Sequence, residues 1–386
     1  MRILHISDIH IGAKLGRYSQ NGDIKKCLDH VRDFCVDRKI SLVAIAGDIF
    51  DSYNPSGESE DIYYNFLEQL SASGVRAAII AGNHDNHERL NAPAAFLKRH
   101  DISVTVNDPQ NRYLPIEMDI DGEKISIVAL PYIYDAQVAA TAETENETEA
   151  SQAYSAAYNS IIASAAAKAR SDVKILIAHA FFRGASASGS ERNIQRGGSL
   201  AIDASVFAAG FSYCAFGHLH RHQMIAENAF YSGSVIPISI DEAAYKKKMI
   251  LFDTSQSSSE KRIESVVIPS FSAYKNLCGG FDEIYYNISN LKNAYVSIVF
   301  NEALTLDRQD ALLKAARASD VKIVSQGFDI RRIGDTGFTV PDKFLAYGES
   351  ALFEEYLKAA GCFDERLAEK FRAIADSVKA GDAVCD

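Results

Sequence analysis

The stretch 75-VRAAIIAGNHD-85 decides the fold: a mostly apolar run, Val75 to Ala81, gives way at Gly82 to an amide, an imidazole and a carboxylate. A short apolar run closed by glycine reads as a strand buried on both faces, which is how parallel strands are buried. Four other runs end in the same way. Asp8-Ile9-His10 follows Arg2 to Ser7, Gly47-Asp48 follows Leu42 to Ala46, His179 follows Val173 to Ala178, and Gly217-His218-Leu219-His220 follows Tyr213 to Phe216. Ligands of α/β sheets bind beyond the strand ends, so a sheet that brings these five ends together gathers them into one site.

Between the first runs lie helical patterns. Ile24, Leu28, Val31 and Cys35 recur at helical spacing within Asp23 to Arg38, as do Ile62, Phe66 and Leu70. The resulting βαβαβ order predicts a parallel sheet with right-handed crossovers. A short helix is expected over Asn91 to Arg99 and strands over Ile102 to Val106 and Ile125 to Leu130. The segment from Ala136 to Arg170 reads as an exposed acidic loop followed by a helix. Beyond Tyr213, short strands near Gln223 to Ala226, Ala229 to Tyr231, Met249 to Phe252 and Ile263 to Ile268 read as antiparallel pairs closing a second sheet. The class is α/β, two sheets flanked by helices. Expected domains are 1–275, a smaller α/β unit at 276–342 with a helix over Leu306 to Ala318, and a helical tail at 343–386.

The bulk composition of 47% hydrophobic and 24% charged residues is that of an ordinary globular chain. Six cysteines are scattered without a C-x-x-C pair, which fits a reducing compartment and a cytoplasmic address. The chain opens on a strand-like run without a basic leader, and no apolar run approaches the roughly 20 residues of a membrane helix. A net charge of -11 argues against a broad nucleic-acid footprint. Its distribution softens that objection: residues 101–150 carry eleven acidic and two basic side chains, whereas 151–200 carry six basic and two acidic. The loop Phe182 to Gly198 holds Arg183, Arg192 and Arg196 among four glycines and suits an anionic ligand.

The strand-end residues are two carboxylates (Asp8, Asp48), one amide (Asn83) and four imidazoles (His10, His179, His218, His220), with His84 left over. Mixed nitrogen and oxygen ligands suit manganese, iron or zinc. Seven ligands exceed the need of one ion, whereas two ions about 3.5–4 Å apart sharing a carboxylate would use them all. Asp48, leaving the central strand, is the natural bridge. Singly, each motif reads as a cap or turn and His179 as a satisfied loop histidine; jointly they are specific. His5 reads as core, His87 and His222 as exposed bystanders, and Asp51 and Asp85 as turn caps or acceptors that orient neighbours.

Asp8-x-His10, Gly47-Asp48, Gly82-Asn83-His84-Asp85, His179 and Gly217-His218-x-His220 resemble the five blocks of the calcineurin-like metallophosphoesterases. Met1-Arg2-Ile3-Leu4-His5-x-Ser7-Asp8, Ala46-Gly47-Asp48-Ile49-Phe50-Asp51 and Tyr231-Ser232-Gly233-Ser234 with Pro237 and Asp241-Glu242 resemble the SbcD nuclease subunits more closely. The resemblance implies a two-sheet metallophosphoesterase sandwich, a cap domain that positions DNA, and a helical tail that docks on an ATPase. It implies one ion on Asp8, His10, Asp48 and His220, and a second on Asp48, Asn83, His179 and His218. His84 would face the scissile phosphate and stabilise or protonate the leaving oxygen. Manganese-dependent exonuclease and endonuclease action on double-stranded DNA ends and hairpins is implied, in DNA repair, recombination and replication. So are an SbcC-type coiled-coil ATPase partner and a homodimer within a heterotetramer. Lys14 and Arg17, with the three loop arginines, are the expected phosphate contacts. Two rivals use the same residues: a phosphodiesterase acting on small nucleotides, and a scaffold that has lost catalysis, which would be expected to have lost ligands.

Overall fold

The computed structural model describes residues 1–108, 110, 112–134, 147–191, 202–203, 210–256, 262–329, 349–359 and 364–380. The first half runs β1 (Arg2–Ile6), β2 (Lys14–Leu15), β3 (Tyr18–Ser19), α1 (Asn21–Asp37), β4 (Leu42–Ala46), α2 (Gly57–Ala72), β5 (Arg76–Ile80), α3 (His87–Asn91), α4 (Ala94–Leu97), β6 (Ile102–Thr105), β7 (Ile116–Ile120) and β8 (Glu123–Leu130). There follow α5 (Glu147–Ala166), β9 (Val173–His179), β10 (Tyr213–Gly217), β11 (Gln223–Ala226), β12 (Ala229–Tyr231), β13 (Lys248–Asp253), β14 (Ile263–Val267) and β15 (Ala273–Gly279). The chain continues through α6 (Phe281–Asn290), β16 (Ala294–Phe300), α7 (Leu306–Ala318), β17 (Val321–Phe328), α8 (Glu349–Ala359) and α9 (Glu365–Ala380).

Two six-stranded sheets, ordered β14-β13-β1-β4-β5-β6 and β11-β12-β10-β9-β8-β7, stack face to face. Strand alternation sorts their side chains into layers. In β4, Leu42, Ala44 and Ala46 face the second sheet, while Val43 and Ile45 face α1 and α2. Ile175 and Ile177 of β9 meet the first sheet, whereas Leu176 and Ala178 turn toward α5, where Tyr158 and Ile162 cover them. Each fully buried Ile or Leu contributes roughly 1.5–3 kcal/mol of transfer free energy. Helix α1 is placed by Ile24, Leu28, Val31 and Cys35, and α2 by Tyr63, Phe66 and Leu70, with Ser56 accepting the Ser59 N–H at its start. The two-sheet α/β sandwich flanked by helices is the class that the sequence predicts.

Three local expectations differ from the structure. The five ligand-bearing ends do not leave one sheet: β1, β4 and β5 supply three, and β9 and β10 supply two from the facing sheet. Of the late strands, β11 and β12 form the expected antiparallel pair in the second sheet, but β13 and β14 do not join it. β13 pairs antiparallel with β1, and β14 with β13, extending the first sheet, while β10 runs parallel to both β9 and β12. Alternation alone fixes which face is buried, not the neighbour against which a strand is laid. The helix expected over Asn91 to Arg99 is two short helices, because Pro93 removes a donor and breaks the run.

The chain divides into two compact units, Met1–Val299 with Leu304–Gly327, and Phe300–Ala303 with Phe328–Asp386. In the first, the sheet β15-β16-β17 with α6 and α7 reaches the main body through Tyr295, whose hydroxyl donates to the Ser19 carbonyl at 3.2 Å. Gln20 Nε2 likewise donates to the Tyr274 hydroxyl at 3.3 Å. In the second, α8 and α9 pack through stacked Phe353 and Phe371 rings 4.1 Å apart and an Arg372–Glu354 ion pair. Among the described residues, no helix is long and apolar enough to cross a membrane.

Candidate metal centre

The loops after β1 and β4 continue side by side beyond the strands. Asp8 N donates to Gly47 O, Ile9 N and His10 N to Asp48 O, and Ile11 N to Ile49 O, all between 2.9 and 3.1 Å. This ladder forces Asp8, His10 and Asp48 to φ near +50°, a left-handed conformation that costs roughly 1–2 kcal/mol in such residues. His218 is also bent to φ +104°. Strain at four candidate ligands is held because backbone bonds over-determine the loops. Two glycines let the strand ends close up. A Cβ on Gly82 would collide with Asp48, and one on Gly217 with the Ala46 carbonyl. Asp85 then locks the arrangement, its carboxylate accepting the N–H groups of Gly82, Ile49 and Phe50 at 2.8, 3.1 and 3.0 Å.

The structure brings together all seven candidate ligands and His84. Asp8, His10, Asp48, His179, His218 and His220 are buried, and Asn83 is half-buried. Their ligand atoms form overlapping groups: Asp8, His10 and His220; His10, Asp48 and His84; Asp8, Asp48 and His179. Asp48 lies between two clusters. Its Oδ2 is 3.8 Å from His10 Nε2 and 3.4 Å from His179 Nε2. On one side, the Nε2 atoms of His10 and His220 are 3.1 Å apart. On the other, Asn83 Oδ1 is 3.0 Å from both His179 Nε2 and His218 Nδ1.

The second nitrogen of each ring assigns its tautomer. His220 Nδ1 faces Glu242 Oε1 at 3.0 Å, His10 Nδ1 faces Asp51 Oδ1 at 3.3 Å, and His179 Nδ1 faces the Ala46 carbonyl at 2.7 Å. Each partner is an acceptor: the contacts of His220 and His179 put the hydrogen on Nδ1 and leave a lone pair on Nε2, while the Asp51 carboxylate favours the same tautomer in His10 by charge, without a hydrogen bond. In the neutral rings, lone pairs of His10 and His220 face one another, and that of His179 faces an amide oxygen and a carboxylate. Acceptors crowded without a donor repel unless a proton or a cation sits among them. The donor set therefore fits divalent cations, with the nitrogen and oxygen mixture of manganese, iron or zinc. The electrostatics agree. Burial pulls the His179 imidazole down, but Asp48 outweighs it and holds the ring up at about 9. Burial and the charge on His179 push His218 down to about 3, so that ring is neutral.

His84 stands at the edge of the cluster, 9% exposed, with its ring 4.8 Å from that of His10. Its backbone N–H donates to Asp48 Oδ1 at 2.9 Å, and its Nδ1 to the Asp51 carbonyl at 2.9 Å, which leaves Nε2 for a substrate. Arg183 is exposed on the loop after β9; Lys14 and Arg17 are exposed on the β2–β3 hairpin, where Arg17 lies 5.2 Å over the Tyr18 ring. Arg192, Arg196 and most of the acidic loop are outside the described residues. His87 and His222 are half-buried rather than exposed, His87 because both its nitrogens are bonded within the β5 and β6 loops.

Sequence reasoning missed the support beneath His220. Glu242, fully buried, binds both His220 Nδ1 and Lys247 Nζ, and Lys247 also donates to the His220 carbonyl at 3.1 Å. Burial opposes the Glu242 charge, but His220 and Lys247 outweigh it and hold the carboxylate well below its usual range. Glu191 accepts the His220 N–H at 3.0 Å, and Ser190 Oγ lies 2.8 Å from His220 Nδ1. The only signal was the acidic pair Asp241-Glu242 near a run of three lysines.

This geometry meets its match in known proteins. The family model described as calcineurin-like phosphoesterase matches residues 1–222. The chain belongs to the calcineurin-like phosphoesterases. Its curated relatives narrow the class. The Bacillus subtilis protein named as the SbcD subunit of the SbcCD nuclease is 29% identical over 398 residues, covering 99% of this chain and all of the relative. The proteins of the same name from Rhodobacter capsulatus and Escherichia coli K12 are each 30% identical, covering 68% and 70% of this chain and 69% and 68% of their own lengths. Within the class, the chain belongs to the SbcD family of nuclease subunits and is a metal-dependent phosphodiester hydrolase.

Proposed function

We propose that this protein is the two-metal DNA exonuclease and endonuclease subunit of an SbcC–SbcD-type complex, cutting phosphodiester bonds at double-stranded ends and hairpins. The observation that carries the reading is the pair of acceptor clusters sharing Asp48, with His10 and His220 opposed at 3.1 Å on one side and His179 and Asn83 at 3.0 Å on the other. Asp8, His10, Asp48 and His220 would hold one ion and Asp48, Asn83, His179 and His218 the second, manganese being the metal proposed. Bound there, two such ions supply Lewis acidity to the attacking and leaving oxygens of a phosphodiester.

The chain's own residues do the rest. Asp85 and the β1–β4 ladder hold the ligands before substrate arrives, which is preorganisation rather than induced order. His84, fixed through its backbone and Nδ1, would present Nε2 to the leaving oxygen and, as an imidazolium, give it a proton. Lys14, Arg17 and Arg183, with Arg192 and Arg196, are proposed to hold flanking phosphates. If so, neutralising them flattens the salt dependence of DNA binding, and an unchanged slope removes them. The region 276–342 is proposed as a cap that positions DNA, the tail at 343–386 as the ATPase-docking segment, and the working form as a homodimer within a cytoplasmic heterotetramer.

The test incubates the purified chain with manganese and a hairpin-ended duplex, a cyclic dinucleotide or a simple phosphodiester. Degradation of the DNA, lost in His84→Ala, is the expected result. Hydrolysis of the small substrates alone would move the protein to the phosphodiesterase class.

A further inference from the structure

A ladder of aromatic rings leads from the metal centre to solvent. The ring of Tyr132 lies 6.1 Å from that of His218 and 6.2 Å from that of His179. Tyr134 meets Tyr132 edge-on at 5.2 Å and lies against His87 at 5.8 Å. Tyr134 is 40% exposed and Tyr53, just past the Asp51 carbonyl that holds His84, is 56% exposed.

We propose that Tyr134, backed by Tyr132 and His87 and flanked by Tyr53, is a stacking platform for an unpaired base of the strand whose phosphodiester enters the metal centre. The proposal rests on the nuclease reading above. Three features of the ladder favour a base. The wall behind Tyr134 is rigid and uncharged: His87 Nε2 donates to the Gly82 carbonyl at 3.2 Å while its Nδ1 accepts the Asn107 N–H at 3.0 Å, a bonding pattern that needs the neutral ring. Burial, and then Tyr53, Asp85 and Asp48, push the Tyr134 phenol up, which keeps the ring neutral. The rings of Tyr134, Tyr132 and the neutral His87 offer a phosphate no cation, while a base needs only the π-face, and every base has one. A base can reach that face only after leaving its own stack, so the platform selects frayed or single-stranded termini over closed duplex.

The experiment uses the full chain with manganese and a duplex bearing a short unpaired terminus, with the scissile linkage made resistant by a phosphorothioate. A 2-aminopurine replaces the unpaired terminal base, or that base is removed, and the protein is unaltered, Tyr134→Phe or Tyr134→Ala. Stacking should quench the 2-aminopurine in the unaltered protein and in Tyr134→Phe, but not in Tyr134→Ala. Removing the ring and removing the base should each weaken binding about tenfold, and doing both should again cost about tenfold, since they delete one interaction. Two losses that multiply, or an unquenched base in an unaltered protein that binds and cuts DNA, would overturn the platform alone. A protein that binds no DNA would overturn the nuclease reading, and the platform with it.

Discussion

Glu242 Oε1 lies 3.0 Å from His220 Nδ1, and its Oε2 takes the Lys247 ammonium at 2.5 Å. One buried carboxylate thus fixes the tautomer of a candidate metal ligand and neutralises a buried lysine. Removing it separates the two roles. Glu242→Ala leaves Lys247 without its counter-charge and should cost about 3–5 kcal/mol of stability, read by denaturant unfolding. Pairing Glu242→Gln with Lys247→Met should restore most of that stability, yet still weaken one of two metal sites about 10- to 100-fold in calorimetry. Wild-type metal affinity in the double variant would reduce Glu242 to a structural group.

His84 has only Nε2 to offer a substrate, its other nitrogen being taken by the Asp51 carbonyl. His84→Ala should lower phosphodiester hydrolysis by about 10²- to 10⁴-fold, the range of a lost general acid, with the metal content of the protein unchanged. Loss of metal together with activity would place His84 among the ligands instead.

Metal binding should release a proton at neutral pH. The folded imidazole of His179 stands at about 9, above its ordinary value of 6.5. In the metal-free protein its ion pair with Asp48 contributes stability fully present below about pH 6.5 and lost as pH rises through about 9. The ion must displace that proton, so apparent affinity should fall about tenfold for each pH unit below 9 in the upper part of that window. Calorimetry in buffers of different ionisation enthalpy counts the proton; none released at pH 7.5 would contradict the linkage.

Asp85 accepts three buried backbone N–H groups from the loops after β4 and β5. Asp85→Ala orphans all three, each worth about 1–3 kcal/mol, and should destabilise the fold by at least about 3 kcal/mol in thermal unfolding. A change within about 0.5 kcal/mol would mean that the loops are held elsewhere.

The candidate site was legible because each ligand pair directly follows an apolar run, and strand ends are where a sheet presents side chains. Asp48 could be read as the bridge because β4 lies between β1 and β5, as the βαβαβ order requires. Pairing was less legible. Nothing in Met249 to Phe252 tells that β13 borders β1 as well as its sequence neighbour β14, since an unbroken apolar run would suit either sheet. Strand β7 escaped notice because Glu117 and Asp119 interrupt its apolar positions on the exposed face. Glu242 is a long-range partner 22 residues beyond His220, invisible until the fold brings them together.

The central claim is that Asp48 joins two metal sites, and metal stoichiometry tests it most directly. Equilibrium dialysis against manganese should give two ions per chain for the unaltered protein, one for Asp8→Ala and neither retained tightly in Asp48→Ala, because Asp48 alone belongs to both proposed ligand sets. A single ion per unaltered chain, or an Asp48→Ala protein that still holds one tightly, would contradict the account.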